Sequence, residues 1–148
     1  MSAALRAANP LDAGAVGAIL SGFIDETDWM PRLHSRAQDI GFAGYMIDRG
    51  WVQVALLEGR VAGFLAREAQ EVHALYVARK VRRKGVGAAL LAAAQAEVPA
   101  LRLWTFQANL DAQAFYGAHG FREVRRTDGR RNDEGLPDIE LAWDREVA

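Results

Sequence analysis

The chain changes rhythm at Gly50. Before it, Ala15, Val16, Ile19, Leu20 and Phe23 recur three and four residues apart, the spacing that gathers apolar side chains on one face of a helix. Asn9-Pro10-Leu11-Asp12 is a start signal for that helix: a cap residue, a proline in the first turn, then an acid. ALRAA, just ahead of it, reads as a short strand. DETDWMP, 25–31, breaks the pattern and reads as a loop, and residues 34–46 resume it as a second helix. After Gly50, WVQVALLEGRVAGFLAREAQ reads as two strands around the hairpin signal Glu58-Gly59. EVHALYVA, 71–78, follows as the next strand. VGAALLAAAQAEV is helical by propensity and by its Leu90, Leu91 and Ala94 spacing. ALRLWTF is a strand. Asn109 then caps the helix LDAQAFYGAH, which Gly120 closes. FREVRR and DIELAW are two last strands around a polar loop, 127–137. Helices, an antiparallel meander, then strand–helix–strand–helix–strand amount to an α/β or α+β sheet flanked by about four helices.

Composition narrows the field. At 148 residues, half of them hydrophobic and a quarter charged, the chain suits one globular domain over 1–148. A net charge of −1 argues against a nucleic-acid or membrane-surface partner. With no cysteine there is no thiol nucleophile, disulfide or cysteine metal site. The start, MSAALRAANPLDAG, has no apolar stretch behind a basic end, and no run reaches the roughly 18 residues that span a bilayer, so a cytoplasmic location is expected. The serines, at 2, 21 and 35, form no Gly-x-Ser-x-Gly, and the three histidines show no metal-ligand spacing, so no metal is expected.

The densest positive charge runs straight into the most pliable backbone, in VRRKGVG at 81–87. The first amides of a helix lack partners and carry the positive end of its dipole, so an anion can fill the place. Glycines let backbone approach it closely. Strand, basic glycine loop, helix is a phosphate cradle in outline. It is neither a Walker loop, since no Lys-Ser/Thr follows, nor a G-x-G-x-x-G fingerprint, since Leu90 stands at the third glycine. A solvated basic turn is the plain alternative.

Two motifs carry a resemblance. Arg82-x-x-Gly85-x-Gly87, preceded by LYVARKV, resembles the acetyl-coenzyme-A (acetyl-CoA) loop of the GCN5-related N-acetyltransferase (GNAT) superfamily. NLDAQAFYGAHGF, 109–121, is similar to that superfamily's later motif, Asn-x-x-Ala-x-x-Phe-Tyr-x-x-x-Gly-Phe. The likeness extends over residues 51–145, and WMPRLH, LWTFQ and TDGRRNDEGLPD also look like segments of a bacterial subgroup. The resemblance implies a mixed, mostly antiparallel twisted sheet, splayed between its fourth and fifth strands (71–78 and 101–106), with the cofactor in the gap. It implies that the diphosphate lies on the amides of Arg83, Lys84, Gly85, Val86, Gly87 and Ala88, beside Arg82. The pantetheine arm would pair with backbone at Leu75, Tyr76 and Val77, the Val77 N–H would polarise the acetyl oxygen, and Asn109 would touch the cofactor as well as cap its helix.

Acetyl transfer requires a neutral amine, and an alkyl amine is only about one part in 10³ neutral at pH 7. It also needs a donor for the oxyanion and a proton for the leaving thiolate. Tyr116 matches the motif's tyrosine and is the expected acid; the alternative is a core aromatic. Glu71 and His73, two apart on one strand, are candidate bases, or else a solvated strand start and a half-buried filler. Trp29, Met30 and His34 fall in the region that covers the acceptor in relatives, and Trp104 on the fifth strand lines the same cleft or the core. The acids Asp128, Asp133, Glu134 and Asp138 could attract a cationic amine or form a solvated loop. The expected function is direct transfer from acetyl-CoA to a primary amine of a small molecule or peptide, in a ternary complex. A non-catalytic acyl-CoA sensor and a DNA-binding adaptor are the alternatives, and a homodimer through the last strands is a further expectation.

Overall fold

A computed structural model describes residues 2–146. One seven-stranded sheet organises it: β1 (Ala4–Ala7), β2 (Val52–Leu57), β3 (Arg60–Glu68), β4 (Glu71–Val77), β5 (Ala100–Phe106), β6 (Arg122–Thr127) and β7 (Asp138–Asp144). Their order is β1-β2-β3-β4-β5-β7-β6, and every pair is antiparallel except β4 with β5. Four helices flank it: α1 (Ala13–Glu26), α2 (Arg36–Asp48), α3 (Val86–Glu97) and α4 (Leu110–Ala118). The expected fold class is what the chain adopts.

Local chemistry sets the element ends. Asn9 Oδ1 accepts from Leu11 N at 3.0 Å and Asp12 Oδ2 from Asn9 N at 2.8 Å, a reciprocal cap that opens one 3₁₀ turn before α1. Ser35 and Gln38 form the same device for α2, which therefore begins two residues after His34. At the other end of the connection α1 runs on to Glu26, so the loop expected from residue 25 starts at Thr27. Asp25 is held in the last turn of α1 by Arg32 and Arg36. Glu58 and Gly59 both take positive φ, 51° and 77°, as a two-residue hairpin turn of primed type requires.

The sheet has a core on each face. Val16, Met46, Val54 and Phe64 are buried with α1 and α2 on one side; Leu65, Leu90, Leu91 and Leu101 are buried on the α3 side. Leu90 and Leu91 have no exposed surface, so truncating either costs roughly 2–5 kcal/mol. That anchorage holds the N-terminus of α3 in place.

Two irregularities shape the middle of the sheet. The β4–β5 ladder consists of one pair, Glu71 with Arg102, where Arg102 N donates to Gln70 O at 2.8 Å; beyond it the strands part. Against β3, β4 carries one extra residue, His73, between Val72 and Ala74. This bulge resets the alternation. Val72, Leu75 and Val77 pack toward α3, whereas Ala74 and Tyr76 pack toward α1 and α2. Among the described residues no helix is long and apolar enough to cross a membrane.

Candidate active site

The gap between β4 and β5 opens into a cavity of about 400 Å³, walled by Leu75, Tyr76 and Val77, by residues 82, 83 and 85–88, and by Asn109, Ala112, Phe115 and Tyr116 of α4 and its cap. Of the expected cofactor residues, all but Lys84 contribute to this wall. Lys84 lines a separate groove beside the β2–β3 hairpin, with Leu57, Arg60 and Val81.

The loop before α3 is built to face an anion. Gly85, at the N-cap position, offers no side-chain cap and has φ 81°. Arg83 also has positive φ, 66°, which costs a non-glycine residue roughly 1–2 kcal/mol. Left-handed residues at alternate positions turn successive N–H groups toward one point. Among the described residues, none of the six amides from Arg83 to Ala88 donates a hydrogen bond, whereas Ala89 N already bonds Gly85 O at 3.0 Å. α2 and α4 each spend a side chain on their first amides; α3 leaves its own open. Gly63 closes the loop from below: a Cβ there would lie 3.0 Å from both the Tyr76 carbonyl and Val86 Cγ1.

Tyr116 is buried, with its ring edge-on to Phe115 at 5.2 Å and to Phe121 at 5.3 Å. Burial, and then Tyr76, push its phenol well above the ordinary range. Burial and then the charge of Glu134 push Tyr76 up to about 12. Both phenols therefore hold their protons at any working pH. Asn109 does two things at once: its Oδ1 accepts from Ala112 N at 3.0 Å, and it walls the cavity. Phe23, from α1, enters the same cavity against the Tyr76 ring at 4.9 Å. In the sequence it is one more apolar residue on a helical face, and nothing there distinguishes it.

Glu71 and His73 stand elsewhere. Glu71 is exposed at the closed end of the gap, in a hollow with Arg102, Trp104 and Glu140. The His73 ring stacks on Trp51 at 5.0 Å, and its Nε2 is 2.9 Å from Glu68 Oε1. Neither lines the β4–β5 cavity.

A second cavity, of about 650 Å³, lies over β5, β6 and β7, with Trp104, Phe106, Arg125 and Glu134 in its wall. Trp104 is the expected acceptor residue that lines it, with the Arg125 guanidinium 5.3 Å above its ring. Trp29 reaches Phe106 edge-on at 5.7 Å. Met30 is half-buried in the same loop; His34 is exposed and gives its carbonyl to Arg32 at 2.9 Å.

A family model for the GNAT acetyltransferase domain matches residues 37–123, which hold the whole glycine loop and the Asn109–Phe121 motif.

This chain belongs to the GNAT acetyltransferase family.

Peptidyl-lysine N-acetyltransferase YiaC of Escherichia coli (strain K12) is 38% identical over 88 residues, and the match spans 58% of each chain. Solved structures from Escherichia coli, Rhodopseudomonas palustris and Salmonella typhimurium are among those that share the fold of this GNAT chain. The apo form of YjaB from Escherichia coli superposes with a TM-score of 0.80 at 24% identity, over 97% of this chain and 98% of that one. A GCN5-related N-acetyltransferase from Rhodopseudomonas palustris gives 0.81 at 20% identity, over 97% and 96%. The protein yncA from Salmonella typhimurium, solved with acetyl-CoA, gives 0.74 at 17% identity, over 98% and 95%.

Proposed function

We propose that residues 1–148 form one N-acetyltransferase domain that moves the acetyl group of acetyl-CoA to a primary amine, directly and in a ternary complex. The run of six undonated amides at the mouth of the β4–β5 gap carries this reading. A diphosphate on them leaves the pantetheine arm to run along the parted edge of β4, toward Tyr116. With no cysteine in the chain, a thioester-linked acetyl-enzyme has no place to form.

Tyr116 acts on the leaving sulfur. Its raised pKa makes complete proton loss to a thiolate, whose ordinary pKa is about 8.5, uphill. A hydrogen bond to the sulfur as charge develops there is the contribution such a phenol makes best. The acceptor class supported by the partial match to a peptidyl-lysine acetyltransferase is a lysine side chain or a similar alkyl amine.

The test is thiol release from acetyl-CoA with a panel of lysine peptides, alkyl amines and amino sugars, beside a thermal-shift titration with acetyl-CoA and free CoA. Amine-dependent thiol release, together with a donor-dependent rise in melting temperature, is expected. Tight binding with no release for any amine would favour an acyl-CoA sensor.

A further inference from the structure

Resting on the acetyltransferase reading, we infer that Glu134 binds the ammonium group of an alkyl-amine acceptor and takes its first proton. The β6–β7 loop carries this carboxylate into the wall of the second cavity, opposite Trp104 and Phe106. Three carboxylates line this cavity, and two are engaged. Asp128 pairs with Arg130 at 2.9 Å, and Asp138 is held by Thr127 and Asn132. Among the described residues Glu134 makes no hydrogen bond or ion pair, yet it is only half exposed to solvent.

Its place in the cavity wall with Trp104 and Phe106, without a partner of its own, carries the inference, and its charge also bears on Tyr76. Tyr76 walls the cofactor cavity beside Val77, and Glu134 is near enough to Tyr76 to oppose ionisation of its phenol. Its loop is pinned on either side. Asn132 Nδ2 donates to Leu136 O at 2.8 Å and Asn132 Oδ1 accepts from Leu136 N at 3.2 Å, so the chain that carries Glu134 is closed on itself. The charged or titratable groups around it are Tyr76 from β4, Arg125 from β6, Arg130, Arg131 and Asp128 from its own loop, and Asp138 from β7. Trp104 and Phe106 supply an apolar wall for the alkyl chain.

The protons balance. The ammonium gives one proton to the Glu134 carboxylate, and the freed lone pair forms the C–N bond at the thioester carbon. The C–S bond breaks with its electron pair on sulfur. The second proton of the nitrogen ends on that sulfur, giving the thiol, and Glu134 returns its proton to water.

The experiment compares wild type with Glu134→Gln, Glu134→Asp, Asp133→Asn and the double variant Glu71→Gln, His73→Gln. Two quantities are read: the affinity of n-butylammonium for the enzyme–CoA complex by calorimetry, and thiol release against pH. Glu134→Gln should weaken amine binding on the order of 10- to 100-fold and leave acetyl-CoA affinity unchanged. It should lower the rate at pH 7 on the order of 10²-fold, with recovery at high pH, where the amine is already neutral. Glu134→Asp should keep part of both, and Asp133→Asn, outside the cavity, should keep both. Equal amine affinity in Glu134→Gln, or a loss equal at every pH, overturns the inference, as does a loss confined to the Glu71/His73 double variant. If wild type turns over no amine, the acetyltransferase reading fails, and the calorimetric arm still decides whether Glu134 is a cation site.

Discussion

Arg82, the first cation of the glycine loop before α3, is held by Glu26 at the end of α1. Its Nη2 abuts Glu26 Oε1, and its Nε donates to the Val77 carbonyl at 3.2 Å. Glu26 Oε1 is enclosed and has no aligned hydrogen bond, so the pairing is one of charge. A carboxylate thus sits beside the loop whose amides make no hydrogen bond among the described residues.

That arrangement has a measurable consequence. Glu26→Gln should tighten acetyl-CoA binding about fivefold, the equivalent of the roughly 1 kcal/mol that a partly exposed charge contributes. The gain should shrink as salt is added. Arg82→Ala should act in the opposite direction. Calorimetry at two ionic strengths decides it, and unchanged affinity in Glu26→Gln would show that Arg82 has only a structural role.

Gly87 and Gly85 should respond differently to a side chain. A Cβ on Gly87 would meet Phe115 Cζ at 3.5 Å and Val77 Cγ2 at 3.6 Å, ordinary contacts that the fold tolerates. Gly87→Ala should therefore leave the melting temperature nearly unchanged, and Gly87→Val should weaken acetyl-CoA tenfold or more by standing between backbone and diphosphate. Gly85 has room for a Cβ but a left-handed φ. Gly85→Ala should cost about 1 kcal/mol of stability as well as donor affinity. Melting and calorimetry on the same samples separate the two costs.

The buried phenols set an alkaline limit. The folded pKa values of Tyr76 and Tyr116 lie above the unfolded value of about 10, so the fold favours the protonated forms. Their contribution is complete below pH 10 and is lost as pH rises through that value toward the folded ones. Phenolate absorbance should show two of the three tyrosines ionising late, together with unfolding. Tyr116→Phe should remove part of this limb and lower turnover at every pH, with no recovery at high pH.

Arg32 locks the loop that carries Trp29 and Met30. It donates to Asp25 Oδ1 at 2.9 Å, Asp39 Oδ2 at 3.1 Å, Ser21 Oγ at 2.7 Å and the Ser21 and His34 carbonyls at 2.9 Å each. Arg32→Ala should lower the melting temperature by several degrees, because Asp39 is left buried with its charge unpaired. It should raise the KM for the amine more than that for acetyl-CoA. The hydrogen bond from Arg32 holds the Asp25 carboxyl below its usual range. A depressed pKa adds stability above the unfolded value near 4, lost as pH falls through the folded one. Wild type should weaken on acidification below pH 4, and Arg32→Ala should show less of that dependence. Arg32→Lys should not restore it, since one ammonium cannot serve the same fork of acceptors.

Elements and their ends were largely legible in the sequence, because the forces that set them act within a few residues. The Asn9 cap, the Glu58-Gly59 turn and the open amides before α3 each depend on neighbours in the chain. The wall of the β4–β5 cavity was legible for a different reason: its residues were expected from the resemblance of two motifs, and all but Lys84 of those expected line it. What pairs across the fold was not legible. The extra residue at His73 has no local signal; it exists because β3 and β4 must each bury apolar residues on opposite faces, and it alone turns Tyr76 toward α1. Glu71 and His73 share a strand with the site, but the parting of β4 from β5 leaves them at its closed end, and Trp51 and Glu68 take up the imidazole. Glu134 was one acid among four in a polar loop. It stands apart only once Asp133 is seen to lie outside the cavity and the partners of Asp128 and Asp138 are known, and the pairing of Thr127 on β6 with Asp138 on β7 is one that only the folded sheet brings together.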